Sequence, residues 1–230
     1  MKVAVLQFPG SNCDWDAEHA VRDVLGISAH RVWHQDSLPG ETEAVIVPGG
    51  FSFGDYLRCG AIARFSPISN DLKRFAENGG QVLGICNGFQ ILCEAGLLPG
   101  ALIRNECMEF RCLNQSLKVE QSNERFNPTT LGATLSLPIA HGEGNYRVKD
   151  SILTEIEDHG LVFLRYLENP NGSMNDIAGL RNRDGNVYGM MPHPERAVES
   201  YHPSLDGLSV LKAFFAPLLS SRAVELSSKG

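Results

Sequence analysis

The sequence lacks any long apolar run and any block of like charges. Its opening stretch, Met1-Lys2-Val3-Ala4-Val5-Leu6-Gln7, stops at Phe8-Pro9-Gly10, too short for a signal peptide or a membrane span. A formal charge of −7 argues against a nucleic-acid surface. The Gly-x-x-x-x-Gly-Lys spacing of a phosphate loop is absent, and no other nucleotide-binding signature stands out, so no cofactor is expected in this chain. Six cysteines occur, at 13, 59, 86, 93, 107 and 112, but none forms a Cys-x-x-Cys pair. Their spacing fits neither a zinc site nor a disulfide framework, which predicts no metal site and a reducing, cytoplasmic setting. There is also no repeat, no low-complexity tract and no linker-like stretch, so residues 1–230 are read as a single domain.

What is present is the composition of a soluble globular protein, 43% hydrophobic and 20% charged. The apolar runs alternate with helical periods. Lys2 to Gln7 reads as a strand, Asp14 to Leu25 as a helix that Ser11 or Asn12 would cap, His30 to His34 and Glu43 to Val47 as strands, and Asp71 to Asn78 as a helix. Strand, helix, strand, strand opens a doubly wound parallel sheet. Further on, Leu117-Lys118-Val119-Glu120 and Ala133 to Leu137 alternate as antiparallel strands do, with a polar loop over Gln121 to Thr130 between them. Ser151 to Glu157 reads as a short helix and Leu161 to Leu167 as a strand. Asn175 to Arg181 and Asn186 to Met191 read as a hairpin turning at Asp184-Gly185, and Gly207 to Ser220 as a closing helix. The expected fold is an open, mostly parallel α/β sheet with helices on both faces and a small antiparallel extension.

The chemistry centres on Gln81-Val82-Leu83-Gly84-Ile85-Cys86-Asn87-Gly88-Phe89-Gln90. Val82, Leu83 and Ile85 form an apolar run that suits a buried strand; Phe89, Leu92 and Cys93 then recur at helical spacing. Cys86 therefore stands where a strand ends and a helix begins, with glycine two residues to either side, the Gly-x-nucleophile-x-Gly pattern of a nucleophile elbow. A turn that sharp leaves no room for flanking Cβ atoms. A thiol at a helix N-terminus meets free N–H groups that favour the thiolate, and the Asn87 N–H points where an oxyanion would form. The plain alternative is a buried cysteine in a glycine-rich turn.

A thiol nucleophile needs a base, and the base needs a group to fix its tautomer. Among seven histidines, His193 has the right setting: it follows a strand, has a proline on each side, and has Glu195 two residues on. Two strand ends on one sheet edge would bring positions 86 and 193 together. Pro48-Gly49-Gly50 also follows a strand and is either an oxyanion loop or an ordinary turn. His141, between an apolar pair and Gly142 and Gly144, is likewise either part of a site or a structural bend.

Gly84 to Gln90 with His193-Pro194-Glu195 resembles the class I (triad) glutamine amidotransferases. Val5 to Asp14, Pro48 to Tyr56 and Ala140 to Gly144 extend the resemblance over residues 1 to 220, towards the small glutaminase subunits that serve a separate synthetase of purine biosynthesis. The resemblance implies a flavodoxin-like sheet with Cys86 as nucleophile, His193 as base and acid, and Glu195 as orienter. It further implies Gly50 and Asn87 as oxyanion donors, and Gly49, Gln90, His141 and Gly142 as the holders of glutamine. It also implies partners: a large synthetase subunit that carries the ATP and magnesium, and a small bridging subunit. The competing readings are a stand-alone triad amidase or γ-glutamyl hydrolase, and a non-catalytic interaction module.

Overall fold

A computed structural model of the protein describes residues 2–120 and 133–227, with side chains through residue 220. The loop expected over Gln121 to Thr130 lies outside the described residues. The chain builds β1 (Lys2–Gln7), α1 (Asp14–His19), β2 (Ser28–Trp33), β3 (Ala44–Val47), α2 (Pro67–Glu77), β4 (Gln81–Ile85) and α3 (Asn87–Glu94). There follow β5 (Ala101–Ile103), β6 (Arg111–Val119), β7 (Thr134–His141), β8 (Asn145–Arg147), α4 (Asp150–Asp158), β9 (Val162–Tyr166), β10 (Ile177–Arg181), β11 (Val187–Met190) and α5 (Asp206–Ser227).

Nine strands form one sheet in the order β2-β1-β3-β4-β11-β10-β9-β6-β7, and β5 pairs with β8 apart from it. From β2 to β11 all neighbours are parallel. From β11 to β7 all are antiparallel. Following these pairings along the sheet, β10 and β6 run against the other strands. The expected α/β class holds, but the antiparallel part is larger than the two alternating stretches indicate, with four strands beyond β11. The small β5–β8 pair has no counterpart in the sequence reading.

The inner parallel strands are buried throughout because helices cover both faces: β3, β4 and β11 have no exposed residue. On β4, Gly84 meets Leu92 of α3. Gln81, whose side chain leaves the opposite face, donates to the Phe214 carbonyl of α5. Phe214 and Phe215 are fully buried, so the apolar stripe of the closing helix is core.

Several boundaries move, each for a local reason. The first helix is α-helical only to His19; Ala20–Val24 widens to a π turn, with Leu25 N–H donating to Ala20 O at 3.1 Å, and ends at Gly26 with φ +69°. Neither Ser11 nor Asn12 caps it. Cys13 holds that position without a side-chain cap, while Ser11 Oγ accepts the Phe8 N–H at 3.1 Å and so closes the preceding turn. Helix α2 begins at Pro67, ahead of the expected Asp71, since proline's fixed φ suits the first helical position. Pro138 lies within β7, an edge strand, where its missing N–H leaves no ladder bond broken.

The antiparallel half curls. Strand β7 is five strands from β4 in the sheet order, which at about 4.8 Å per strand would separate them by about 24 Å if the sheet were flat. Yet Ala140 O of β7 lies 3.6 Å from Cys86 Sγ, and the His193 N–H donates to Pro138 O at 2.8 Å. The curl brings the end of β7 over the carboxyl ends of β4 and β11, and the site forms there.

Candidate active site

Cys86 follows the last residue of β4 and sits at the N-terminus of α3 with φ +50° and ψ −106°. That is a strained conformation for a residue with a side chain. The flanking glycines are required by contact. A Cβ on Gly88 would stand 1.8 Å from Val47 O, and one on Gly84 would stand 2.5 Å from Leu92 Cδ1 and 2.8 Å from the Gly88 backbone. Cys86 is almost fully buried, at 5% exposure of the residue.

His193 follows β11 and is buried with Glu195. Its Nδ1 lies 2.6 Å from Glu195 Oε1, while Nε2 has no hydrogen-bond partner among the described residues. The prolines bend the chain so that a carboxylate two residues on reaches back to the ring. Burial opposes the charged ring, but the Glu195 carboxylate and the sulfurs of Cys86 and Cys13 outweigh it and hold His193 well above the ordinary histidine range.

Gly49 stands among these groups. A Cβ there would lie 2.7 Å from His193 Cε1, 3.1 Å from Cys13 Sγ and 3.4 Å from Cys86 Cβ. Gly50 adopts φ +136° and bridges to Ser11. A cavity of about 190 Å³ opens between Asn12, Cys13, Gly50, Ala140 and His193. The larger cavity, about 540 Å³ between α3, α4 and the segment 96–100, is lined by none of these residues.

The other expected residues are near but engaged. Gln90 accepts from Asn87 Nδ2 at 2.8 Å and donates to Glu143 O at 2.6 Å, so its amide is bonded within the protein. Asn87 Oδ1 also accepts the Ser52 N–H at 3.2 Å, which ties the loop after Gly50 to α3. The His141 ring is enclosed. Its Nδ1 is 3.1 Å from Asn105 Oδ1 and its Nε2 is 3.5 Å from Asn171 Nδ2. Burial, with the nearby His193 charge, lowers His141 to about 4, so it is neutral at pH 7. Gly142 accepts the Asn105 N–H at 2.9 Å through its carbonyl.

Three parts of this neighbourhood escape the sequence reading. Asn105, fully buried, also donates to Glu109 O and His141 O and accepts the Gly144 N–H, and so holds the 141–144 bend. Asp55 and Glu143 face each other across Cys59, whose thiol is pushed far up by burial and by both carboxylates. Cys13 stands beside His193 and Glu195, more than seventy positions upstream of the elbow. Cys13, Asp55 and Glu143 lie within the stretches that carry the resemblance but have no role of their own there, and a lone asparagine in a loop gives no periodic or spacing signal.

A thiol at a strand–helix elbow, an imidazole backed by a buried carboxylate and a glycine loop beside them define an enzyme of the thiol amidotransferase class. Residues 1–207 match the family described as CobB/CobQ-like glutamine amidotransferase domain. The phosphoribosylformylglycinamidine synthase subunit PurQ of Synechococcus elongatus is 53% identical over 219 residues, 95% of this chain and 99% of its own length. That of Salinibacter ruber is 51% identical over 222 residues, 92% of this chain and 94% of its own. The solved structure of PurLQS from Thermotoga maritima superposes with a TM-score of 0.87 at 43% identity, covering 94% of this chain and 98% of that one. Another glutamine amidotransferase from Thermotoga maritima shares the fold at 14% identity, with a TM-score of 0.56 over 97% of this chain and 86% of that one. The chain belongs to the glutamine amidotransferase family and, within it, to the PurQ subunits of phosphoribosylformylglycinamidine synthase.

Proposed function

We propose that Cys86, His193 and Glu195 form the catalytic set of a glutaminase that feeds ammonia to a phosphoribosylformylglycinamidine synthase. The observation that carries this reading is the placement of His193: one ring nitrogen is fixed by Glu195, and the other is free beside the elbow cysteine. The Cys86 thiolate attacks the side-chain amide carbon of glutamine, and the tetrahedral oxyanion rests on the N–H groups of Asn87 and Gly50. Each such donor is worth about 3 kcal/mol in comparable sites. His193 passes the thiol proton to the departing nitrogen, which leaves as ammonia. Water, deprotonated by His193, then cleaves the γ-glutamyl thioester to glutamate and restores the thiol. Gly49 keeps the space beside His193 and Cys86 clear, and Gln90, His141 and Gly142 act by fixing the loops around the glutamine rather than through free polar atoms.

Residues 1–230 act as one amidotransferase domain, in the cytoplasm. No helix of the described residues is long and apolar enough to cross a membrane. The partner is a large synthetase subunit that binds ATP, magnesium and formylglycinamide ribonucleotide, joined by a small bridging subunit. The likeness to a chain of PurLQS supports this assembly. Cys86→Ala in the reconstituted complex is expected to abolish glutamine-dependent amidine synthesis and to spare synthesis from added ammonium. Retained glutamine hydrolysis would remove Cys86 from the mechanism. Rapid ammonia release by the isolated chain, with activity on γ-glutamyl peptides, would favour a stand-alone amidase.

A further inference from the structure

We propose that Cys13 is a positioning residue: its thiol holds the free edge of the His193 ring while Cys86 is tied up as the thioester. The inference rests on the glutaminase reading above.

Cys13 is buried at the start of α1 and is fixed from two sides. Its N–H donates to Gly49 O at 3.4 Å, and Arg196 Nη2 donates to its sulfur at 3.2 Å. Arg196 is itself anchored, with Nε donating to Asp16 Oδ2 at 2.9 Å. The Cys13 sulfur, a ring nitrogen of His193 and a carboxylate oxygen of Glu195 all lie within 4.8 Å of one another. Because Nδ1 is taken by Glu195, the nitrogen left to face a second partner is Nε2, which is buried and unpartnered. Gly49, having no side chain, keeps the space between Cys13, His193 and Cys86 clear. A cation is a poor occupant for this cluster: the arginine already points a positive charge at the sulfur, and Nδ1 is committed.

The second stage of the reaction is where such a contact matters. Once Cys86 is acylated its sulfur has no proton and no full charge, so it no longer engages the ring. His193 has by then given its proton to ammonia, and Nε2 is a bare, buried acceptor. An imidazole fixed only through Nδ1 can swing, and the waiting base is lost from the water's path. Burial raises the Cys13 thiol, so it keeps its proton at pH 7. With Arg196 occupying a lone pair, the proton that the resting thiol gives to Asn12 Oδ1 at 3.4 Å turns to Nε2 once Cys86 is acylated. An S–H donor is weak, so the incoming water displaces it readily.

The test compares the full chain in complex with its synthetase as wild type, Cys13→Ala and Cys13→Ser. Cys13→Ala is expected to lower kcat and KM for glutamine together, about tenfold, with kcat/KM nearly unchanged, because only thioester hydrolysis slows. Acid-quenched protein should then carry a γ-glutamyl adduct on Cys86. Cys13→Ser keeps a donor and is expected to stay within about twofold of wild type. Stoichiometric alkylation of Cys86 by a glutamine-like chloroketone reports that each variant is folded. Should Cys13→Ala fail to fold, Arg196→Gln, which frees the sulfur, should show the same joint fall in kcat and KM. A fall in kcat/KM equal to that in kcat, no adduct, or a serine variant as slow as the alanine one would overturn the proposal. A wild type that does not hydrolyse glutamine would instead overturn the glutaminase reading.

Discussion

Gly88 lies so close under the carbonyl oxygen of Val47 that a methyl group on it would stand 1.8 Å from that oxygen. Neither partner can yield cheaply, since one is helix backbone and the other is a strand carbonyl. Gly88→Ala should therefore destabilise the fold by about 3 kcal/mol or more, a drop in Tm on the order of 10 °C, and lose glutaminase activity with it. Gly142→Ala is the control. Its nearest non-local atom would be Phe110 Cδ2 at an ordinary 3.6 Å, so its Tm should stay within about 2 °C of wild type. Equal losses in the two variants would show that crowding at the elbow is not what selects glycine.

The buried pair His193–Glu195 is 2.6 Å apart, and the proposed mechanism gives orientation to one and proton transfer to the other. His193→Ala removes the proposed base and should reduce kcat by about 10³-fold or more. Glu195→Gln still offers an oxygen to the ring and should cost less. Steady-state glutamine hydrolysis by both variants would check this; a Glu195→Gln enzyme slower than His193→Ala would reverse the assigned roles.

His141 makes acid sensitivity measurable. Its folded value, about 4, lies below the roughly 6.5 of an unfolded histidine. The unfolded chain then binds the extra proton first as pH falls, so stability is full above about 6.5 and declines towards pH 4, by about 3 kcal/mol from this residue. Urea unfolding of wild type and His141→Gln at pH 7 and pH 4.5 should show a smaller acid loss in the variant. Parallel losses would mean that His141 does not titrate in that window.

Asn105 makes four bonds with its amide: it donates to Glu109 O and His141 O, accepts the Gly144 N–H and pairs with the His141 ring. Asn105→Ala orphans buried groups at about 1–3 kcal/mol each. The expected result is a marked fall in Tm and a raised KM for glutamine, since the 141–144 bend also holds Gln90 through Glu143 O. An unchanged KM would detach that bend from substrate binding.

The loop after Gly50 takes positive φ at Phe53, Gly54, Asp55, Leu57 and Gly60, and leaves Tyr56 73% and Leu57 93% exposed. Strain and exposed apolar groups next to the elbow are what a docking partner would relieve and cover. Glutamine hydrolysis should therefore be slow in the isolated chain and rise on assembly, with Leu57→Asp reducing the rise but not the basal rate. Equal turnover alone and in complex would end this reading.

How much of this is legible in the sequence differs by kind of signal. The elbow is readable because three demands fall within five residues: glycine, nucleophile, glycine, at a change from strand to helix period. The His193–Glu195 unit is readable because prolines stiffen a two-residue spacing. Asn105, Asp55 with Glu143, and the Cys13–Arg196 contact are not, because each depends on segments far apart in sequence meeting in space. Helix boundaries move where a single proline or a π turn outweighs the periodic pattern.

The sequence by itself determined the local turns that Cys86 and His193 occupy, since these depend on sterics within a few residues. That Cys86 faces Ala140 at 3.6 Å across what would be five strands of a flat sheet was decided only by the curl of the antiparallel half. Twist and curl accumulate over many strands and are set by packing against helices from both ends of the chain, so no short stretch of sequence contains them.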